Sequence, residues 1–176
     1  ARGNISPVVV DPYLYWIDSS SNILGVEDYG TPEREGTIDD LGIYEDKLFW
    51  YGTIDTLNPV IGLTDFVLKT DTSGKVEWRY LFDPSIPRNI WGGYLDVING
   101  RCLVVGDAGF GNDGFIASID TNGNFQWERR FRTEPGSDEV IYDVYVDEGD
   151  TIWCSGGAPE LGVQTPRDKD FWLLKL

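Results

Sequence analysis

Residues 115–131, FIASIDTNGNFQWERRF, align without a gap on residues 66–82, FVLKTDTSGKVEWRYLF. Asp71 and Asp120, Gly74 and Gly123, Trp78 and Trp127, and Phe82 and Phe131 each stand 49 residues apart. Each copy reads as two strands joined by a tight Asp-Thr-x-Gly turn. In the second strand Val76, Trp78, Tyr80 and Phe82 alternate with Glu77, Arg79 and Leu81, and Phe125, Trp127, Arg129 and Phe131 hold the matching places. Alternation at period two marks a strand with one buried face, and the turn glycine supplies the positive φ that closes a hairpin.

Working outward, residues 13–18 (YLYWID) match residues 66–71, and a polar turn leads from them into residues 23–29. This is a third, degenerate copy, with Gly25 standing where Trp78 and Trp127 stand. A fourth copy is entered at residues 171–176 (FWLLKL), which end one residue before their turn aspartate would come. Between these hairpins lies a second repeated unit. Residues 48–52, 102–106 and 152–156 superpose on glycines 52, 106 and 156, and each is preceded by an apolar strand and a short turn: Glu45-Asp46, Asn99-Gly100 or Glu148-Gly149. Four strands therefore recur in a fixed order. The longer connections all fall between the second and third strand of a unit, the pattern by which repeat proteins gather insertions on one face.

Composition sets the outer limits. With 176 residues, 41% hydrophobic and 14% aromatic, the chain can bury a core, and no apolar run approaches the roughly 20 residues of a membrane helix. Gly and Pro lie between short apolar runs, which favours an all-β chain. The net charge of −16, with 14 basic against 30 acidic residues, argues against a nucleic-acid partner. There is no His, which excludes Ser-His-Asp and Cys-His catalytic pairs and His-ligated zinc. Met is also absent and the chain begins at Ala1, so the expectation is a processed mature chain, extracellular or at the cell surface, or an excised fragment. Asn4-Ile5-Ser6 fits a glycosylation acceptor in such a setting.

A four-stranded antiparallel unit of about 50 residues with aromatic and glycine punctuation is the pattern of a propeller blade. The run Asp170 to Leu176 and the Asp-x-Asn-Gly-x-x-x-Trp pattern of residues 120–127 resemble the blade repeat of secreted bacterial and archaeal β-propellers, related to the pyrroloquinoline-quinone type. The resemblance covers roughly residues 13–176. It implies an all-β fold of four-stranded antiparallel β-propeller-type blades, about three to three and a half of them in this chain, forming one domain over residues 8–176 after an arm at 1–7. Propellers of this kind serve as adhesins, surface-layer parts, scaffolds and occasionally enzymes, so the likeness speaks to architecture more than to function.

Several residues are candidates for chemistry. Trp91, before Gly92-Gly93, stands outside every repeat position and is the candidate ligand-facing aromatic, while Trp78 and Trp127 recur in register, Trp50 and Trp153 lie one alignment step apart in the same strand type, and all four read as packing residues. Asp107, Asn112 and Asp113 are hard oxygen donors on a glycine-rich loop that would suit calcium, although the same residues are what any tight loop prefers. No other cofactor is expected. Asp143, Asp147, Glu148 and Asp150 could include a carboxylate pair for hydrolysis, or could be acids of a solvated rim. Cys102 and Cys154 fall two places apart in register, on the same face of successive units, so they read as two separate buried thiols.

Two function classes follow. One is a non-catalytic extracellular structural or binding module that meets other protein chains, as a homo-oligomer or filament, or surface glycans. The other is a propeller-scaffold enzyme, quinone-dependent or acting on glycans through carboxylates. Three and a half blades do not close a ring, because propellers close with about four to eight. The chain is therefore expected to be a segment of a longer propeller or to associate with other copies, the favoured outcome, with the strand carrying Val8, Val9, Val10, Tyr13, Tyr15 and Ile17 donated to or packed on a neighbour.

Overall fold

The computed structural model describes residues 13–29, 36–55, 63–83, 93–108, 113–132, 139–159 and 169–176. The arm at 1–7 with Asn4, the segment Val8–Val10, Trp91 and Asn112 lie outside the described residues.

The chain is all-β, and no helix occurs among the described residues. Among the described residues thirteen strands run in order: β1 (Tyr13–Ile17), β2 (Ile23–Asp28), β3 (Gly36–Tyr44), β4 (Lys47–Asp55), β5 (Leu63–Asp71), β6 (Val76–Leu81), β7 (Tyr94–Ile98), β8 (Arg101–Ala108), β9 (Asp113–Asp120), β10 (Phe125–Phe131), β11 (Val140–Val146), β12 (Ile152–Pro159) and β13 (Lys169–Lys175). They form an N-terminal hairpin β1-β2, a first sheet β3-β4-β5-β6, a second sheet β7-β8-β9-β10 and a third sheet β11-β12-β13. Spatial order equals chain order in every sheet. This is the economical outcome for strands of five to nine residues joined by short turns, with all pairing antiparallel.

One turn closes four hairpins. Asp71 N–H donates to Lys75 O at 3.1 Å, Gly74 N–H donates to Asp71 O at 3.0 Å, and the Asp71 carboxylate accepts the Ser73 and Lys75 N–H groups at 2.9 and 3.0 Å. The same bonds recur around Asp18, Asp120 and Asp147. The fourth residue of the turn is left-handed each time: Ser21 at φ 65°, Gly74 at 88°, Gly123 at 87° and Asp150 at 64°. Ser and Asp tolerate that backbone, so φ alone does not explain the two glycines. A Cβ on Gly74 would lie 2.6 Å from Trp16 Cη2, and one on Gly123 would lie 2.9 Å from Trp78 Cδ2. Glycine is needed where an indole from the preceding sheet lies on the turn.

These turns carry a pH dependence. Hydrogen bonds hold the turn carboxyls below the ordinary range, led by the Asn22 side chain for Asp18, the Ser73 hydroxyl for Asp71, the Asn124 side chain for Asp120 and the Trp153 indole for Asp147. A carboxyl with a lower pKa folded than unfolded contributes stability that is complete above the unfolded value of about 4 and is lost as pH falls through the folded one. Thermal melts between about pH 5 and pH 2 should therefore fall on the acid side, and Asp120→Ala should flatten that fall. An unchanged slope in the variant would remove the assignment.

Successive sheets meet face to face around three cores. Leu14 and Tyr29 pack with Trp50, Ile54, Phe66 and Leu68 between the hairpin and the first sheet. Phe49, Tyr51, Val67 and Phe82 meet Val104, Phe115, Ala117 and Ile119 between the first and second sheets. Leu103, Val105 and Ile116 meet Ile141, Val144, Ile152 and Cys154 between the second and third. Cys102 lies in the middle core and Cys154 in the last, both buried and free. The two thiols are thus separated by the second sheet, as their register on one face requires. Burial pushes both upward, Cys154 to about 11.

Candidate functional site: the two end faces

The ladders define which positions are equivalent between sheets. Gly52 pairs with Phe66, Gly106 with Phe115 and Gly156 with Trp172. By the same ladders, Val67, Ile116 and Leu173 are one position, and Lys69, Ser118 and Lys175 are another. Counted back from the turn aspartates, Tyr15, Leu68 and Ala117 coincide, as do Ile17, Thr70 and Ile119.

Each sheet uses one set of positions toward the sheet before it and another toward the sheet after it. Leu68, Thr70, Ala117 and Ile119 face backward and are buried. On the hairpin the same positions are open: Tyr15 is 53% exposed and Ile17 is 63% exposed, with Tyr13 and Val26 exposed beside them. Val67 and Ile116 face forward and are fully buried, whereas Leu173 on the third sheet is 68% exposed. Trp153, read from sequence as a packing residue, is half-buried on this outward side because it occupies the forward position of Phe49 and Leu103, and Tyr145 is exposed next to it. Among the described residues two apolar faces are thus left open, a backward-type face on β1-β2 and a forward-type face on β11-β12-β13.

Polar contacts recur across the same interfaces. The Trp78 indole N–H donates to Thr121 O at 3.0 Å, and Lys69 Nζ donates to that same oxygen at 3.0 Å. At the preceding interface the Trp16 indole donates to Thr72 O at 2.9 Å. Trp16 stands across the ladder from Gly25, as Lys69 stands across from Trp78. The hairpin thus keeps its indole latch by moving it to the opposite strand, which explains Gly25. Lys69 Nζ also lies 5.6 Å from the Phe49 ring centroid, and Lys175 Nζ lies 5.2 Å from that of Trp153, at the equivalent pair of positions. Asp40 adds another tie, accepting the Leu95 N–H at 2.7 Å from the next sheet.

The other candidate residues are spread apart. Asp107 is buried at the end of β8, and Asp113 opens β9 with its carboxylate 2.6 Å from Arg132 Nε. A cation at Asp113 would have to displace that guanidinium. Among the described residues no group of three or more acidic or sulfur side chains stands close enough to hold a metal. Of the carboxylates weighed for hydrolysis, Asp147 is taken up by its turn and by the Trp153 indole at 3.0 Å, Asp150 pairs with Arg101, and Asp143 accepts the Val144 N–H. An open groove between hairpin and first sheet is lined by Glu27, Asp28, Tyr29, Lys75 and Arg79, charges of both signs without a convergent set. Among the described residues no helix is long and apolar enough to cross a membrane. No protein-family model and no curated protein matches this chain.

Proposed function

We propose that this chain is a non-catalytic structural or binding module of the β-propeller type, working outside the cell or at its surface, which associates with other protein chains through its repeat-built β surfaces. The supporting observation is the pair of end faces. They expose Tyr15, Ile17 and Leu173 at positions that are buried in the first and second sheets, where Leu68, Thr70, Val67, Ala117, Ile119 and Ile116 stand. Contiguous exposed apolar surface of this kind marks interaction sites or leads to aggregation, and sheet edges left bare do the same. The dispersal of the carboxylates into turns and ion pairs favours binding over catalysis, and the same aromatic surface suits stacking on a glycan.

Size-exclusion chromatography with light scattering tests the reading. The expected mass is a multiple of 19.8 kDa that grows with concentration or reaches a fixed closed number. A stable 19.8 kDa species at high concentration, or turnover of a glycan or sugar alcohol that is lost when a loop aspartate is changed, would overturn it.

A further inference from the structure

We infer that the occupant of each end face is a second copy of this chain, docked head to tail, with the hairpin face of one copy on the third-sheet face of the next. The inference rests on the association reading above and specifies its geometry. The internal interfaces are heterologous: a forward face with Val67 or Ile116 always meets a backward face with Ala117 and Ile119 or with Ile141 and Cys154. The forward-type face on the third sheet is therefore complementary to the backward-type face on the hairpin, and neither is complementary to itself. A two-fold contact between like faces would oppose positions that never meet inside the chain.

The polar groups agree. In the first sheet Lys69 reaches past the Phe49 ring to the carbonyl that follows the turn aspartate of the next sheet. Lys175 holds the same place over Trp153. Ser19 follows Asp18 as Thr72 follows Asp71 and Thr121 follows Asp120. The docked copy thus places its Ser19 carbonyl before Lys175 Nζ, with the Asp18 carboxylate close by for charge complementarity.

The test uses two single variants at exposed positions, Tyr15→Arg on the hairpin and Leu173→Arg on the third sheet. A desolvated arginine without a partner blocks whichever face carries it. Each variant alone should be monomeric, while retaining the circular dichroism and melting temperature of a folded chain. An equimolar mixture should form a dimer and stop there, because the intact third-sheet face of Tyr15→Arg can take the intact hairpin face of Leu173→Arg. Lys175→Ala should weaken association of the unaltered faces roughly tenfold, the effect of losing one charged hydrogen bond. If the unaltered chain associates but the mixture stays monomeric, or either variant still assembles, the head-to-tail geometry fails while association stands. If the unaltered chain is itself monomeric, both readings fail.

Discussion

Ile119→Ala should destabilise the chain by about 2–5 kcal/mol, whereas Ile17→Ala, the same substitution at the same position of the repeat, should change the monomer's stability by no more than about 0.5 kcal/mol. Ile119 is fully buried between the first and second sheets, and removing its outer carbons leaves a cavity walled by neighbours on both sheets. Ile17 is 63% exposed on the hairpin, where no sheet precedes it among the described residues. For a chain of this length the first change lowers the melting temperature by roughly 4–20 °C and the second by a degree or two. Denaturant titration of both variants at low protein concentration checks the contrast. Equal losses would mean that the hairpin face is already covered within one chain.

Gly52→Ala should cost at least about 3 kcal/mol, although alanine is the smallest possible addition. A Cβ at Gly52 would stand 1.9 Å from the Thr37 carbonyl oxygen and 2.9 Å from its carbon, and these are backbone atoms that cannot rotate away. The crowding arises from a bulge in β3: Ile38 pairs with Gly52 and Asp40 with Tyr51, leaving Asp39 as the extra residue. Such an insertion bends the strand and brings its carbonyl over the partner. The third sheet repeats the device, with a register shift between Ile141 and Asp143 opposite Gly156 and Ser155. Equilibrium unfolding of Gly52→Ala reads the effect, and a loss below 1 kcal/mol would show that the two strands separate at that point without penalty.

The glycines at 52 and 156 were plain in the sequence, but the bulges opposite them were not, because a bulge is a property of the partner strand. The turn aspartates and glycines, the four-strand order and the separation of the two thiols could all be read from residue spacing alone. That is possible because each depends on contacts within one hairpin or on the two-residue alternation of side chains. Trp16 shows where such reading stops. Its indole replaces that of Trp78 from across the ladder, and only the pairing of Trp16 with Gly25 reveals the exchange. Open end faces, with Tyr15 and Ile17 on one of them, were expected from the blade count and not from the alternation of side chains. Tyr15 and Leu173 alternate with their neighbours just as Leu68 and Val67 do, and a period of two cannot tell a face covered by the next sheet from one that is bare. Of the calcium donors proposed from sequence, Asp113 proves to be paired with Arg132, a partner 19 residues away that the loop composition could not disclose. Trp91, Asn112 and Val8–Val10 lie outside the described residues and stand as the sequence left them.

The claim that the two end faces are halves of one interface is tested most directly by thiol accessibility in Leu173→Cys. Cys102 and Cys154 are both buried, with thiols that burial keeps protonated, so residue 173 becomes the reactive position. Its rate of maleimide labelling should fall as protein concentration rises, in step with association, because a second copy's hairpin covers it. A labelling rate that stays the same from the most dilute to the most concentrated sample would contradict the account.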